Sequence, residues 1–291
     1  MPTATLRPHT IDHLSHSQYT SMLWCSKAYE LGRIAEAPQI PAWWFIGGRL
    51  VHEVTEKYDR LREATTVVRF DFESETLTRL DELVEQEVNS TGVPVEQWLA
   101  AGRWPKKAGY DWWWENGPLM VKRFIDWREE TKWTVEYFSG VPGIECDLNV
   151  RFDFGELHGA PDRVYRLPSK QLVVADVKTG TSPPKEPLQL GTYANDLEML
   201  GYERPAYGTY VMVKHEEQPI HTELIPLDKY RTPYLEQIYG AQKAVIELGA
   251  FVPNVGDACR TCVVQRACYA AGGEDSQRYD RLNPNYRGSL N

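Results

Sequence analysis

Two short segments in the middle of the chain carry the residue types that metal-assisted hydrolysis needs. One reads Gly159-Ala160-Pro161-Asp162-Arg163-Val164, the other Val173-Val174-Ala175-Asp176-Val177-Lys178-Thr179-Gly180. Strand periodicity puts Asp176 and Lys178 on one face together with Leu172 and Val174, so an apolar strand ends in a charged pair. Such a pair costs desolvation energy unless its members serve each other, a metal or a substrate. Asp162, ending a short element just upstream, is placed to meet Asp176 across a sheet. Two carboxylates so arranged suit a hard divalent cation, Mg²⁺ or Mn²⁺. The ion would polarise a phosphodiester and acidify a bound water, and Lys178 would position that water or offset developing charge. The triplet D-x-K is common by itself, and an ordinary ion pair at a surface turn produces it equally well.

The elements that must position these residues follow from hydrophobic periodicity. The first half reads mainly helical. Ser15 or Ser17 can cap a helix running through Leu23, Trp24 and Tyr29, a second runs from Trp43 past Tyr58, and a third from Leu77 to about Val88. Pro118 is suited to start a fourth, through Val121, Phe124, Ile125 and Trp127. From Ile144 to Phe154 every even position is apolar and every odd one polar, the pattern of a half-buried strand. Shorter strands are expected at Gly159 to Leu167, Gln171 to Lys178, Tyr207 to Lys214 and His221 to Ile225. Helices are expected from Glu186 to Leu200 and from Pro233 to Leu248. This order implies a mixed α/β core with a helical N-terminal region wrapped on it.

Composition excludes some classes. With 42% hydrophobic and 25% charged residues in 291, the chain is an ordinary globular protein able to bury a core without disulfides. A formal net charge of −9 argues against a basic coat for non-specific nucleic-acid binding, but clustered carboxylates for metal contribute to such a balance. The first 18 residues have no apolar stretch resembling a signal peptide, and no run approaches a membrane span. Five cysteines without an export signal point to a reducing cytoplasm, where clustered cysteines are more often metal ligands than disulfides.

Cys259, Cys262 and Cys268 form C-x2-C-x5-C, a spacing suited to a soft or borderline metal centre. A fourth ligand must come from far away, since no histidine follows His221. Cys146 lies on the apolar side of its strand and reads as a small buried hydrophobe. Cys25, at the end of the first helix, is the best candidate. Four cysteines fit a [4Fe-4S] cluster; a single C-x-x-C pair, where zinc ribbons usually supply two, makes Zn²⁺ the less favoured occupant, although the spacing itself does not exclude it.

The order Gly-x-x-Asp-Arg-Val, hairpin, Val-x-Asp-x-Lys-Thr-Gly, then Gln189-Leu190-Gly191-Thr192-Tyr193 closely resembles the RecB-like branch of the PD-(D/E)xK nucleases. The resemblance implies a restriction-endonuclease-like core, a mixed central sheet flanked by helices, and cleavage of DNA. Gln189 and Tyr193, four apart on one helical face, match the family's Q-x-x-x-Y helix beside the active site. Gly48-Arg49-Leu50-Val51-His52 looks like its G-x-x-x-H motif, which implies His52, Asp162, Asp176 and the Val177 carbonyl as metal ligands. Glu145 is a weaker candidate for a further carboxylate. One cysteine near the start and three near the end resemble the iron-sulfur nucleases, including CRISPR-associated exonucleases and AddB-type proteins, in which a cluster clasps the ends of the domain.

The expectation is a single nuclease domain over 1–291: a mainly helical part (15–140), a catalytic α/β core (141–250) and a cysteine-rich clasp and tail (251–291). The resemblance implies a DNA exonuclease preferring single-stranded ends, of phage recombination, repair or replication type, with a recombination partner. Two rivals are a CRISPR-adaptation nuclease that trims DNA beside an integrase, and a non-catalytic, metal-clasped DNA-binding module. Trp112-Trp113-Trp114 cannot all face one core, so one or more could stack on unpaired bases, although helix packing explains them as well. The basic stretch Arg103 to Lys107 could touch phosphate or form a solvated loop.

Overall fold

The computed structural model describes residues 9–65, 67–102, 107–214 and 220–288; the basic stretch Arg103 to Lys107 therefore lies, except for Lys107, outside the described residues. After a short strand, β1 (His13–Leu14), the Ser15 hydroxyl accepts the Gln18 N–H and starts α1 (His16–Trp24). The helix does not continue to Tyr29 as its periodicity suggests. Cys25 adopts extended backbone (φ −163°, ψ 109°), and a separate α2 (Ser26–Tyr29) leads into a π-helical turn, Glu30–Ile34. The break coincides with a tertiary contact, in which Cys25 Sγ accepts the Asn254 N–H at 3.4 Å.

Long helices follow: α3 (Trp43–Ala64), α4 (Phe72–Thr91) and α5 (Tyr110–Glu130). Pro118 lies inside α5 rather than at its start. Buried residues at Trp113, Gly117, Met120, Val121, Phe124 and Trp127 recur at helical intervals on both sides of it, and this continuous stripe outweighs the lost backbone hydrogen bond.

The strands and remaining helices are β2 (Thr134–Val135), β3 (Tyr137–Phe138), β4 (Val141–Pro142), β5 (Leu148–Phe152), β6 (Gly155–Gly159), β7 (Arg163–Arg166), β8 (Leu172–Lys178), α6 (Leu188–Met199), β9 (Tyr207–Met212), β10 (Ile225–Pro226) and α7 (Thr232–Leu248). The main sheet has the order β10-β9-β8-β7-β2, with β8 and β9 parallel and the other pairs antiparallel. A smaller sheet has the order β1-β6-β5. One face of β8, with Leu172 and Val174, joins a core with Leu190, Ala194 and Leu197 of α6 and Leu148, Val150 and Leu157 of the smaller sheet. The other face, with Ala175 and Val177, joins a core with Val54 and Tyr58 of α3 and Phe124 and Trp127 of α5. This mixed α/β arrangement matches the expected fold class, with the sheet enclosed between layers.

Two expected strands are shorter than their alternation implies. Of Ile144 to Phe154 only Leu148–Phe152 is strand, because Glu145 has φ 45° and turns the chain. Ile144 thus packs in the helix-side core while Leu148 packs across the sheet. The strand expected over Gly159 to Leu167 divides at Ala160-Pro161-Asp162, where Pro161 cannot donate to a ladder. β6 belongs to the smaller sheet and β7 to the main one, so Asp162 sits where the chain crosses between them.

The C-terminal segment, short turns followed by α8 (Ser276–Tyr279), packs on the N-terminal helices. Ile40 N–H donates to the Val263 carbonyl at 2.8 Å, and the Ser26 hydroxyl to the Val252 carbonyl at 2.9 Å. The buried Lys27 ammonium pairs with Glu30 and with Asp280, the latter at 3.5 Å. No helix among the described residues is long and apolar enough to cross a membrane.

Candidate metal-dependent active site

The carboxylates converge where β8 leaves the sheet. Asp162 Oδ2 accepts the Val177 N–H at 2.7 Å and lies 3.2 Å from His52 Nδ1. In a strand a residue's own N–H and C=O point to the same edge, so the Val177 carbonyl faces the Asp162 edge as well. His52 Nδ1 is also 3.9 Å from Glu145 Oε1. Among the described residues, His52, Glu145 and Asp162 form the one group of three or more side chains whose ligand atoms all fall within 4.8 Å.

Asp176 stands beside this group. It is 1% exposed, and Oδ2 lies 2.5 Å from Lys178 Nζ without hydrogen-bond alignment. Lys178 Nζ donates to Gln189 Oε1 at 3.2 Å, and Gln189 Nε2 to the Tyr193 hydroxyl at 3.0 Å. The residues expected at Asp162, Asp176, Lys178, Gln189, Tyr193, His52 and Val177 thus form one connected constellation. The difference lies in Glu145: its left-handed backbone brings the carboxylate to His52, whereas strand alternation would leave it on a solvated face. A non-glycine residue held there stores strain of about 1–3 kcal/mol, a cost that structures tolerate chiefly at functional sites.

Electrostatics fit a cation. Burial opposes a charge on His52, but Asp162, with Glu145 and Asp176 in support, pushes its pKa up to about 10. Burial, then the charge of Asp162, pushes Asp176 up to about 6 against the pull of Lys178 and His52. Asp162 is held below the usual carboxylate range despite its burial, by His52, the Val177 N–H and Arg163. The imidazolium therefore neutralises the acidic cluster, and a divalent ion entering the cluster would displace that proton.

Sequence reasoning missed the support behind the ligands. Asp59, seven residues beyond His52 on α3, accepts from Arg163 Nε at 2.6 Å, Arg128 Nε at 2.9 Å and the Tyr165 hydroxyl at 3.2 Å. Both arginines are 1% exposed. Arg163 Nη1 in turn donates to the Asp162 carbonyl at 2.6 Å, so the network fixes the turn that presents Asp162. The seven-residue spacing of His52 and Asp59 on a helix was the available signal, but it does not reveal the partners.

Glycines set close approaches. A Cβ at Gly47 would lie 2.1 Å from the Trp113 indole, so Trp113 is the member of the tryptophan trio committed to packing α3 on α5. A Cβ at Gly159 would lie 2.7 Å from the Tyr193 ring, which explains the glycine three residues before Asp162.

Cys25, Cys259, Cys262 and Cys268 line a single cavity, with Cys146 elsewhere. Asn254 ties Cys25 to the Cys259 side: its N–H reaches Cys25 Sγ and its carbonyl lies 3.9 Å from Cys259 Sγ.

The model of the PD-(D/E)XK nuclease superfamily matches residues 13–269, and the chain belongs to that superfamily. Its members are phosphodiester hydrolases that use divalent metal. The Gene 69 protein of Mycobacterium phage D29 is 27% identical over 267 residues, covering 87% of this chain and 93% of that protein. The crystal structure of SSO0001 aligns with a TM-score of 0.34 at 14% identity, over 75% of this chain and 96% of that one.

Proposed function

We propose that this chain is a metal-dependent DNA exonuclease of the RecB-like branch that works from single-stranded ends, a single nuclease unit closed by a [4Fe-4S] clasp. The observation carrying this reading is the juxtaposition of His52, Glu145 and Asp162 at ligand distance with the Asp176–Lys178 pair beside them. A bound Mg²⁺ or Mn²⁺ would polarise the scissile phosphodiester and acidify a water. His52, Asp162, Glu145, Asp176 and the Val177 carbonyl would hold it. Lys178, oriented by Asp176 and Gln189, presents an N–H to the attacking water or the phosphate oxygen. Tyr193 keeps Gln189 in place. Arg163 and Asp59 hold the Asp162 turn rigid.

Cys25, Cys259, Cys262 and Cys268 are the proposed cluster ligands; their cradle joins the first helices to the C-terminal turns and takes no part in cleavage. A thiolate-bound cluster suits the reducing cytoplasm. The phage origin of a relative favours a recombination or replication role, with a recombination protein as partner, over CRISPR adaptation.

The test is cleavage of end-labelled single- and double-stranded DNA with Mg²⁺ or Mn²⁺ by anaerobically prepared protein. Metal-dependent shortening from single-stranded ends, abolished by Asp176→Ala and Lys178→Ala, is expected. Intact wild-type protein that binds DNA without metal and cuts nothing would replace this reading with that of a binding module.

A further inference from the structure

A groove of about 880 Å³ runs between the first helices and the start of α3. It lies toward the upper end of the roughly 300–1,000 Å³ range of ligand sites and has room for more than one nucleotide. Ser17, Thr20 and Trp24 line one wall; spaced at three and seven residues, they form one face of α1. Trp44 and Phe45, at the start of α3, line the groove as well. Phe45 is 59% exposed and Trp24 43%, although buried partners are available to aromatic side chains throughout this fold. Phe45, Gly48 and His52 occupy one stripe of α3, so the aromatic wall stands about 10 Å along the helix from a candidate metal ligand. Gly48 keeps the path between them open: a Cβ there would meet only Thr179 Oγ1, at 3.9 Å, next to Lys178.

We infer that this groove binds the unpaired bases of a DNA strand and leads its end to the metal site. The occupant follows from the chemistry of the walls. Aromatic rings offer stacking surfaces to unpaired bases, which a paired duplex does not present, and the Ser17 and Thr20 hydroxyls can donate to phosphate or sugar oxygens. Arg33 is the one charged residue among the described residues lining the groove, and the whole chain carries a net charge of −9. Most of the affinity is therefore assigned to stacking rather than to counterion release. This inference rests on the nuclease reading for the direction of the strand, but the groove stands or falls separately.

Anisotropy of a fluorescein-labelled 20-nucleotide oligothymidylate, with Ca²⁺ replacing the catalytic ion, tests it on the full chain with its clasp intact. Phe45→Ala and Trp44→Ala should each weaken binding by roughly 5- to 150-fold. Phe45→Trp should restore it and Phe45→Leu should not. One or two phosphate contacts predict that affinity falls only about three- to sevenfold between 50 and 200 mM salt. Blunt duplex should bind far more weakly than the single strand.

Wild-type affinity in Phe45→Ala and Trp44→Ala would overturn the proposal, as expected if the groove takes a protein segment instead. So would equal binding of duplex, or a salt dependence of a thousandfold. Wild-type protein that cuts DNA while these variants bind normally would sink the groove and spare the nuclease. Protein that cuts nothing while Phe45→Ala loses the oligothymidylate would do the reverse.

Discussion

Replacing Asp59 by asparagine keeps the side-chain shape and removes the charge shared by two buried guanidinium groups. Breaking a buried ion pair from one side costs about 3–5 kcal/mol, because the remaining charge is left uncompensated. Here part of the loss is offset. Arg128 keeps the Trp133 carbonyl at 3.1 Å, and Arg163 keeps the Asp162 carbonyl at 2.6 Å and Glu145 at 3.7 Å. The asparagine oxygen still accepts one hydrogen bond. We therefore expect about 3 kcal/mol for Asp59→Asn and about 5 for Asp59→Ala. At roughly 2–4 °C per kcal/mol for a chain of this size, the melting temperature of Asp59→Asn should fall by about 6–12 °C.

The pH dependence has a definite sign. Although burial opposes its charge, Arg163 and Arg128 hold Asp59 below the usual carboxylate range. A depressed carboxylate contributes stability above its unfolded pKa of about 3.9 and loses it as pH falls through the folded value. The gap between wild type and Asp59→Asn should be full at pH 7 and shrink below about pH 4. Urea unfolding with a common m-value measures it. A gap under 1 kcal/mol at pH 7, or one that widens on acidification, would refute the reasoning.

Asp196 is fully buried, both of its oxygens lack hydrogen-bond partners among the described residues, and burial raises its pKa well above the ordinary value. A raised carboxylate contributes its stability below about pH 3.9 and loses it as pH rises toward the folded pKa. Asp196→Asn should therefore melt higher than wild type at pH 7.5 and show no gain at pH 4. Gly47→Ala should cost about 1–3 kcal/mol by forcing the Trp113 indole aside, with a loss of cleavage rate because α3 carries His52; unchanged melting would show that the helices separate without strain. Cys25→Ser and Cys262→Ser, purified without oxygen, should lose visible absorption, iron and sulfide together and should melt lower. A colourless, zinc-loaded wild type would overturn the cluster assignment.

Much of the site was legible because its signals are local. Period two puts Asp176 and Lys178 on one face of a strand, period 3.6 puts Gln189 and Tyr193 on one face of a helix, and both faces meet in the structure. Strand alternation likewise set Cys146 apart from the four cysteines that share a cavity. Where local patterns misled, a distant contact had prevailed over them. The first helix breaks at Cys25, where the C-terminal turns reach it, and α5 extends upstream through Pro118, where a buried stripe outweighs a missing hydrogen bond.

The sequence by itself determined which faces Asp176, Lys178, Gln189 and Tyr193 occupy, since periodicity depends only on backbone geometry. It could not determine which distant groups neutralise them. Asp59 meets Arg128 and Arg163 across 69 and 104 residues, and Glu145 turns inward through a backbone angle that no residue type announces. Only the tertiary structure decided these, because the stability of a buried charge depends on partners that packing brings together.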